Sequence, residues 1–469
     1  MHDACGVVGI SLSDTAANVS KQIYYALYAL QHRGQESAGI AVHDGKVIRT
    51  HRGMGLVSEV FEEAQLGLLR GNVGIGHVRY ATTGASCIEN SQPLMAKYKD
   101  GAVAVAHNGN LINSGELREE LQTAGDIFYS TSDTEVMAHI FVKELMRHDL
   151  VEAVRGMMRA IRGSYSLVML LGDMVLGIRD PLGIKPLCLG QVDSGYMVAS
   201  ESIAMDTLNG RLIRDVRPGE MVVIRGGEMT SYQLARCQGP NYCVFEYIYF
   251  ARPDSIMEGR LIYDVRVNIG GMLAEEHPAD ADTVTPIPDS GITLAVGYHQ
   301  RSGIRYKECL MKNRYIGRTF IMPDQSMREA AVRLKMNTIR PNIEGHELVL
   351  VDDSIVRGTT SRRIVDMVRN AGAKKVHVRI GSPPIIAPCY LGIDMASREE
   401  LIAAYKTVPG VEAVINADSL GYVSHDGLVK AIGIPKEHLC MGCLTGIYPL
   451  EIPGERCQVA QTKITEYVE

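Results

Sequence analysis

The segment Val349-Leu350-Val351-Asp352-Asp353-Ser354-Ile355-Val356-Arg357-Gly358-Thr359-Thr360-Ser361 constrains the fold of this chain more than any other. Its apolar run does not alternate with polar residues, so it reads as a strand buried on both faces, which belongs in a parallel sheet covered by helices. The strand ends in two acids, and a loop rich in glycine and hydroxyls then opens a helix. Thr283–Pro288 and Lys375–Ile380 read as companion strands beside Glu347–Asp352, and Thr360–Asn370 and Arg398–Thr407 as helices. An α/β sheet follows for this half. Backbone N–H groups and the helix dipole point into such a loop and make it an anion site, to which Thr359, Thr360 and Ser361 add hydroxyl donors. Asp352 and Asp353 at the carboxyl end of the strand suit a sugar diol or a hydrated Mg²⁺. An Asp-Asp pair by itself merely ends a strand and caps a helix.

At 469 residues the chain exceeds one ordinary core and divides into two large domains. From Cys5 to about Leu234, short apolar strands (Cys5–Leu12, Gly74–Val78, Val103–Ala106, Ser166–Leu171, Met221–Ile224) mix with helices at Ala16–Gln31, Asp133–Met146 and Val151–Arg162, the pattern of an α+β domain. Periodicity breaks over Ala235–Tyr242, which sets the domains at 5–235 and 243–469 and predicts close packing across a short linker. A formal charge of -6 argues against a nucleic-acid footprint, and no apolar run is long enough for a membrane span. Met1-His2-Asp3-Ala4 carries no export signal, so the expected location is the cytoplasm. Ten cysteines there are thiols, metal ligands or a nucleophile sooner than disulfides.

Cys5-Gly6-Val7-Val8-Gly9-Ile10 opens the first domain with a cysteine on an apolar strand. Gln31-His32-Arg33-Gly34, His77-Val78-Arg79-Tyr80-Ala81-Thr82, Ala106-His107-Asn108-Gly109-Asn110 and Ser132-Asp133-Thr134-Glu135 follow in order. Singly, each has a structural explanation: a buried thiol, a hairpin Asn-Gly, a core histidine, a surface ion pair, a helix cap. Together they resemble the glutaminase domain of the N-terminal-nucleophile class II amidotransferases, which implies an αββα sandwich. A terminal cysteine supplies a thiol and an α-amine that titrates near neutral pH and accepts its proton. The resemblance implies Cys5 as nucleophile and Asn108 and Gly109 as the oxyanion hole. It also implies Arg79 and Asp133 as clamps on the carboxylate and ammonium of glutamine, with Arg33 and Thr82 among the substrate-binding positions. Cys5 carries a free amine only after cleavage behind Ala4, so residues 1–4 are expected to be a propeptide.

The second half resembles the type I phosphoribosyltransferases. That likeness implies phosphoribosyl pyrophosphate bound by Ser354, Arg357, Gly358, Thr359, Thr360 and Ser361, and Mg²⁺ at Ser290, Asp352 and Asp353. The basic stretch Arg314–Arg340 is expected to close over pyrophosphate as a lid, a solvated basic face being its bland alternative. With both halves in one chain, the whole resembles the phosphoribosylpyrophosphate amidotransferase family. Glutamine is the implied ammonia donor, purine nucleotides are the implied inhibitors, and a homotetramer or dimer is the implied assembly.

Cys440-Met441-Gly442-Cys443 alone reads equally as a redox dithiol, half a zinc site or two core cysteines. With Cys243 and Cys389, four thiolates suit either Zn²⁺ or a [4Fe–4S] cluster. The contexts of Cys243 and Cys389 resemble the iron–sulfur subgroup of the family, which favours the cluster, in a structural or oxygen-sensing role. Rival readings are a class II amidotransferase with another acceptor, whose partner domain lacks the Asp352-Asp353 string, and a non-catalytic nucleotide sensor whose Cys5 stays blocked.

Overall fold

The computed structural model describes residues 5–80, 86–237, 239–313, 336–394 and 397–453. Its first domain is built on two antiparallel sheets. One has the spatial order Arg211–Asp215, Cys188–Val192, Gly195–Ala199, Gly6–Leu12, Val73–Arg79, Ser37–His43, Ile48–Met54. The other runs Glu228–Gln233, Glu220–Arg225, Met174–Arg179, Gly163–Leu171, Gly101–Leu111, Leu94–Tyr98. Val7, Ile75, Ala104, Val168 and Val198 fill the space between the sheets. Helix Ser20–Ala29 covers the outer face of the first with Ile23 and Leu27, and helices Asp133–Leu145 and Leu150–Ala160 cover the second with Phe141 and Met157. The αββα sandwich is present, and its central strands lack alternation because both of their faces are buried.

The second domain holds five parallel strands in the order Arg305–Tyr306, Thr283–Pro286, Glu347–Asp352, Lys375–Ile380, Ser419–Tyr422. Within the central strand, Val349 and Val351 face helices Ile262–Glu276 and Gly291–Ser302. Leu348 and Leu350 face helices Thr359–Asn370 and Val408–Ile415. Two buried faces explain the unbroken apolar run.

Several elements depart from the expected bounds. The helix read over Arg398–Thr407 is a 3-10 turn, Arg398–Glu400, followed by a single helical turn, Ile402–Tyr405. Leu401 is extended between them, and the Ile402 N–H donates to the Val356 carbonyl across the anion loop at 2.9 Å, so a tertiary bond takes the donor that a continuous helix needs. Helix Ser20–Ala29 starts later than Ala16, where the Asn18 side chain accepts the Ser20 N–H at 3.2 Å. Most of the basic stretch, residues 1–4, expected as a propeptide, and Thr82 lie outside the described residues.

The domains share a dense seam. Asn241 and Cys243 donate their N–H groups to the carbonyls of Leu182 and Ile184 at 2.7 and 3.3 Å, and Arg179 of the first domain pairs with Glu258 of the second at 2.8 Å.

Candidate functional site

Cys5 sits where strand Gly6–Leu12 begins, at the carboxyl end of its antiparallel neighbour Val73–Arg79. Its thiol is buried and donates to the Tyr80 carbonyl at 3.4 Å. Burial pushes the thiol above its ordinary value, while the Tyr80 contact and the charges of Arg79 and Lys185 pull it back.

Strand Gly101–Leu111 delivers the partners. His107, Asn108 and Gly109 lie inside this strand and not at a turn, because Gly109 takes φ +148 and packs so tightly on strand Gly163–Leu171 that a Cβ would stand 2.1 Å from the Ser164 carbonyl oxygen. Asn108 is fully buried, and neither end of its side-chain amide has a hydrogen-bond partner among the described residues. An orphaned buried amide costs folding energy, and both ends of this one are left open to a ligand.

Asp133 opens helix Asp133–Leu145, where Ser132 caps the first turn. Its carboxylate accepts the Leu111 N–H at 3.0 Å and lies 3.4 Å from His107 Nδ1. Against the penalty of burial, the charge of His107 and the bonds from His107, Leu111 and Thr134 hold this carboxyl below its ordinary value. Arg79 is buried and paired with Glu36.

The structure places Arg33 behind the thiol. Its guanidinium is wholly buried, donates through Nε to the Cys5 carbonyl at 3.1 Å, and is gripped by Glu201 and, at 2.7 and 2.9 Å, by both oxygens of Glu246. Against its own burial, His32 and Arg33 hold Glu201 far below the usual carboxylate range. That contribution to stability is therefore complete at neutral pH, begins to fall once the pH drops below the ordinary glutamate value, and is gone only below the lowered folded value. Removing the cation strands two buried carboxylates, so Arg33→Met is expected to lower stability by about 3–5 kcal/mol, measured as a fall in the urea midpoint.

In the second domain Ser290, Asp352, Asp353, Ser354, Arg357, Gly358, Thr359, Thr360 and Ser361 line one cavity of about 580 Å³. Gly358 takes φ +75 ahead of helix Thr359–Asn370, which leaves the first N–H groups of the helix beside the cavity. Ser290 Oγ approaches Asp352 at 3.5 Å, the Asp353 N–H donates to Asp352 at 2.9 Å, and Ser354 Oγ donates to Asp353. Burial and the neighbouring Asp353 push the Asp352 carboxyl well above its ordinary value. Arg357 is exposed and pairs with Glu400, and Tyr249, Met336, Asp394 and Glu400 also line the cavity.

The four cysteines also converge. Cys243 and Cys440 are opposed in adjacent parallel strands, and Cys389 is close enough to Cys243, Cys440 and Cys443 to disfavour their ionisation. All four are free thiols. Burial pushes Cys243 up to about 12 and raises Cys440 and Cys443 further. Among the described residues, no three His, Cys, Asp or Glu side chains close on a point that holds a single metal ion.

Glu36, Glu201, Glu246 and Lys185 were not identified from the sequence. Each acts through a partner far along the chain, and nothing local marks it.

Two family models match the chain, the "Glutamine amidotransferase domain" over residues 77–207 and the "Phosphoribosyl transferase domain" over 263–380. Amidophosphoribosyltransferases of Archaeoglobus fulgidus and Bacillus subtilis are 54% and 44% identical to it, over 97% and 96% of this chain and 100% and 95% of theirs. The solved glutamine phosphoribosylpyrophosphate amidotransferase of B. subtilis, complexed with ADP and GMP, superposes with a TM-score of 0.90 at 44% identity, over 96% of this chain and 98% of that one.

Proposed function

The chain belongs to the amidophosphoribosyltransferase family, and from that premise we propose that it hydrolyses glutamine at Cys5 and joins the ammonia to C1 of phosphoribosyl pyrophosphate. The products are 5-phosphoribosylamine, glutamate and pyrophosphate, the entry to purine biosynthesis. The observation that carries this reading is the orphaned Asn108 amide, buried on the strand whose Leu111 N–H meets Asp133 and whose Gly109 packs with Lys185 around Gly392, Asp133 and Lys185 being charges that act on the Cys5 thiol.

The freed α-amine of Cys5 takes the thiol proton, and the thiolate attacks the carboxamide carbon of glutamine. Charge develops on the carboxamide oxygen, where the Asn108 Nδ2 and the Gly109 N–H stabilise it. The Cys5 ammonium returns its proton to the departing nitrogen, the C–N bond breaks, and ammonia leaves a thioester that water hydrolyses. Arg79 and Asp133 hold the α-carboxylate and α-ammonium of glutamine, and Thr82 belongs to the same substrate set. Arg33 orients the backbone of the nucleophile from behind.

In the second cavity the N–H groups and hydroxyls of Ser354–Ser361 hold the phosphate groups, with Arg357 at the rim. Ammonia attacks C1, the bond from C1 to the pyrophosphate oxygen breaks, and the new amine loses a proton. Ser290, Asp352 and Asp353 are the residues that would hold Mg²⁺, which settles for one or two carboxylates and keeps its waters; there it would supply charge neutralisation for the leaving pyrophosphate. The dense seam keeps ammonia from solvent between the two steps.

Cys243, Cys389, Cys440 and Cys443 fit a [4Fe–4S] cluster, which supplies structural ties and oxygen sensitivity and no step of the reaction. Four convergent thiolates suit either Zn²⁺ or a [4Fe–4S] cluster, and the likeness of the Cys243 and Cys389 contexts to the iron–sulfur subgroup favours the cluster. Protein purified without oxygen is expected to contain iron and to show thiolate-to-iron absorbance; iron-free protein of full activity sinks this assignment. We place the enzyme in the cytoplasm as a homotetramer or dimer inhibited by purine nucleotides.

Glutamate and pyrophosphate are expected in equal amounts, with glutamine hydrolysis stimulated by phosphoribosyl pyrophosphate; a nucleotide sensor shows neither. Asn108→Ala is expected to lower the glutamine-dependent kcat by about 10²–10³ while synthesis from added ammonium chloride is kept.

A further inference from the structure

Three consecutive backbone carbonyls of the second domain are each held by a side chain of the first. Asn110 Nδ2 donates to the Tyr390 carbonyl at 2.9 Å, Ser164 Oγ to Leu391 at 2.8 Å, and Lys185 Nζ to Gly392 at 2.9 Å. All three holds surround Gly109. Asn110 follows it in the strand, Ser164 is the register partner of Asn110, and a Cβ on Gly392 would lie 2.8 Å from the Cα and carbonyl carbon of Gly109 and 3.0 Å from Lys185 Cε. Gly109 is thus pinned between the Ser164 carbonyl on one side and Gly392 on the other, and the direction of its N–H depends on both domains.

Lys185 is the least expected member of this clasp. It is fully buried, and among the described residues no carboxylate stands within ion-pairing distance, so its ammonium spends itself on one carbonyl. An unpaired buried cation is a costly way to hold a loop, and an apolar side chain would pack there without that penalty. Stability alone therefore does not account for it.

We propose that Lys185 is a positioning residue for glutamine hydrolysis: it locks Gly392 of the second domain against Gly109 and so aims the oxyanion donor. The proposal rests on the assignment of Cys5 and Gly109 above and adds that the second domain completes the support of the glutaminase site. Since the clasp begins one residue after Cys389, the thiol centre and the oxyanion hole are held by the same short loop.

The test compares full-length Lys185→Met, Lys185→Arg and Gly392→Ala proteins with the wild type, measuring synthesis from glutamine, synthesis from ammonium chloride, and melting temperature. Lys185→Met is expected to lower kcat with glutamine by about tenfold or more, a partial loss of oxyanion stabilisation, with ammonia-supported synthesis unchanged. KM for glutamine is expected to stay within about twofold, since the ground-state clamps are untouched. Lys185→Arg, which keeps a donor for Gly392, is expected to recover part of the loss. Gly392→Ala keeps the Lys185 charge but drives a methyl group against Gly109, and is expected to reproduce the kcat defect. The proposal is overturned by Lys185→Met at wild-type kcat, by glutamine and ammonia activities falling in parallel with the melting temperature, or by Gly392→Ala without effect. Failure of the wild type to hydrolyse glutamine would instead refute the function proposed above.

Discussion

Cys5→Ala is expected to lower glutamine-dependent synthesis on the order of 10⁵-fold or more, since the nucleophile and its attached base act as one unit, while synthesis from ammonium chloride continues near the wild-type rate. The asymmetry follows from the layout. Cys5 belongs to the sandwich domain, whereas Asp352, Asp353 and the anion loop line a separate cavity in the parallel-sheet domain. The same chemistry sets a condition on the amino terminus. An α-amine titrates at about 7.7–8.0 and can take the thiol proton, but the nitrogen of an Ala4–Cys5 peptide bond is not basic. Burial already disfavours the thiolate, so an uncleaved chain has neither a base nor an easily ionised thiol. Active protein is therefore expected to begin at Cys5 by mass spectrometry, and a precursor that keeps residues 1–4 is expected to make 5-phosphoribosylamine from ammonia only. Full glutaminase activity in a protein beginning at Met1 or His2 would refute this.

What the sequence disclosed and what it hid divide along physical lines. Strand Glu347–Asp352 was legible to its ends because burial on both faces leaves an apolar run and the acids stop it. The long strand Gly101–Leu111 was legible only over Val103–Ala106. Its polar half reads as a turn, and only packing against Ser164 keeps Asn108 and Gly109 in the ladder. The candidate residues at both sites stood out because the proposed reactions demand particular groups. Their supports did not. Arg33 and Glu246 are 213 positions apart, and a buried ion pair at that separation leaves no local pattern. Thus Arg33 appeared from its motif as a substrate contact, and its placement behind Cys5 emerged only from the folded network. Lys185 was silent for the same reason, since its partner Gly392 lies 207 positions away.

Asp352→Asn separates function from stability in the second domain. The wild-type carboxyl is buried beside Asp353, and both effects disfavour its charge, so the folded chain bears a cost at this position that its contacts do not return. Asparagine removes the repulsion and can still accept the Asp353 N–H and the Ser290 hydroxyl through its side-chain oxygen. The melting temperature is accordingly expected to hold or to rise by about 2–4 °C. Synthesis is expected to fall about 100-fold or more, roughly 3 kcal/mol in the barrier, because in the proposed function this carboxylate would help hold Mg²⁺ against the leaving pyrophosphate. Both nitrogen sources must show the loss, since they share this step, and glutamine hydrolysis without synthesis must not show it to the same degree. Raising Mg²⁺ is expected to recover part of the activity if the lost group is a cation ligand. A variant that melts early, or that loses only the glutamine-dependent reaction, would remove Asp352 from the pyrophosphate site. Two acids held together at an energetic cost, on the edge of a cavity lined by helix N–H groups and hydroxyls, are intelligible as a site whose charge is balanced only when its ligands arrive.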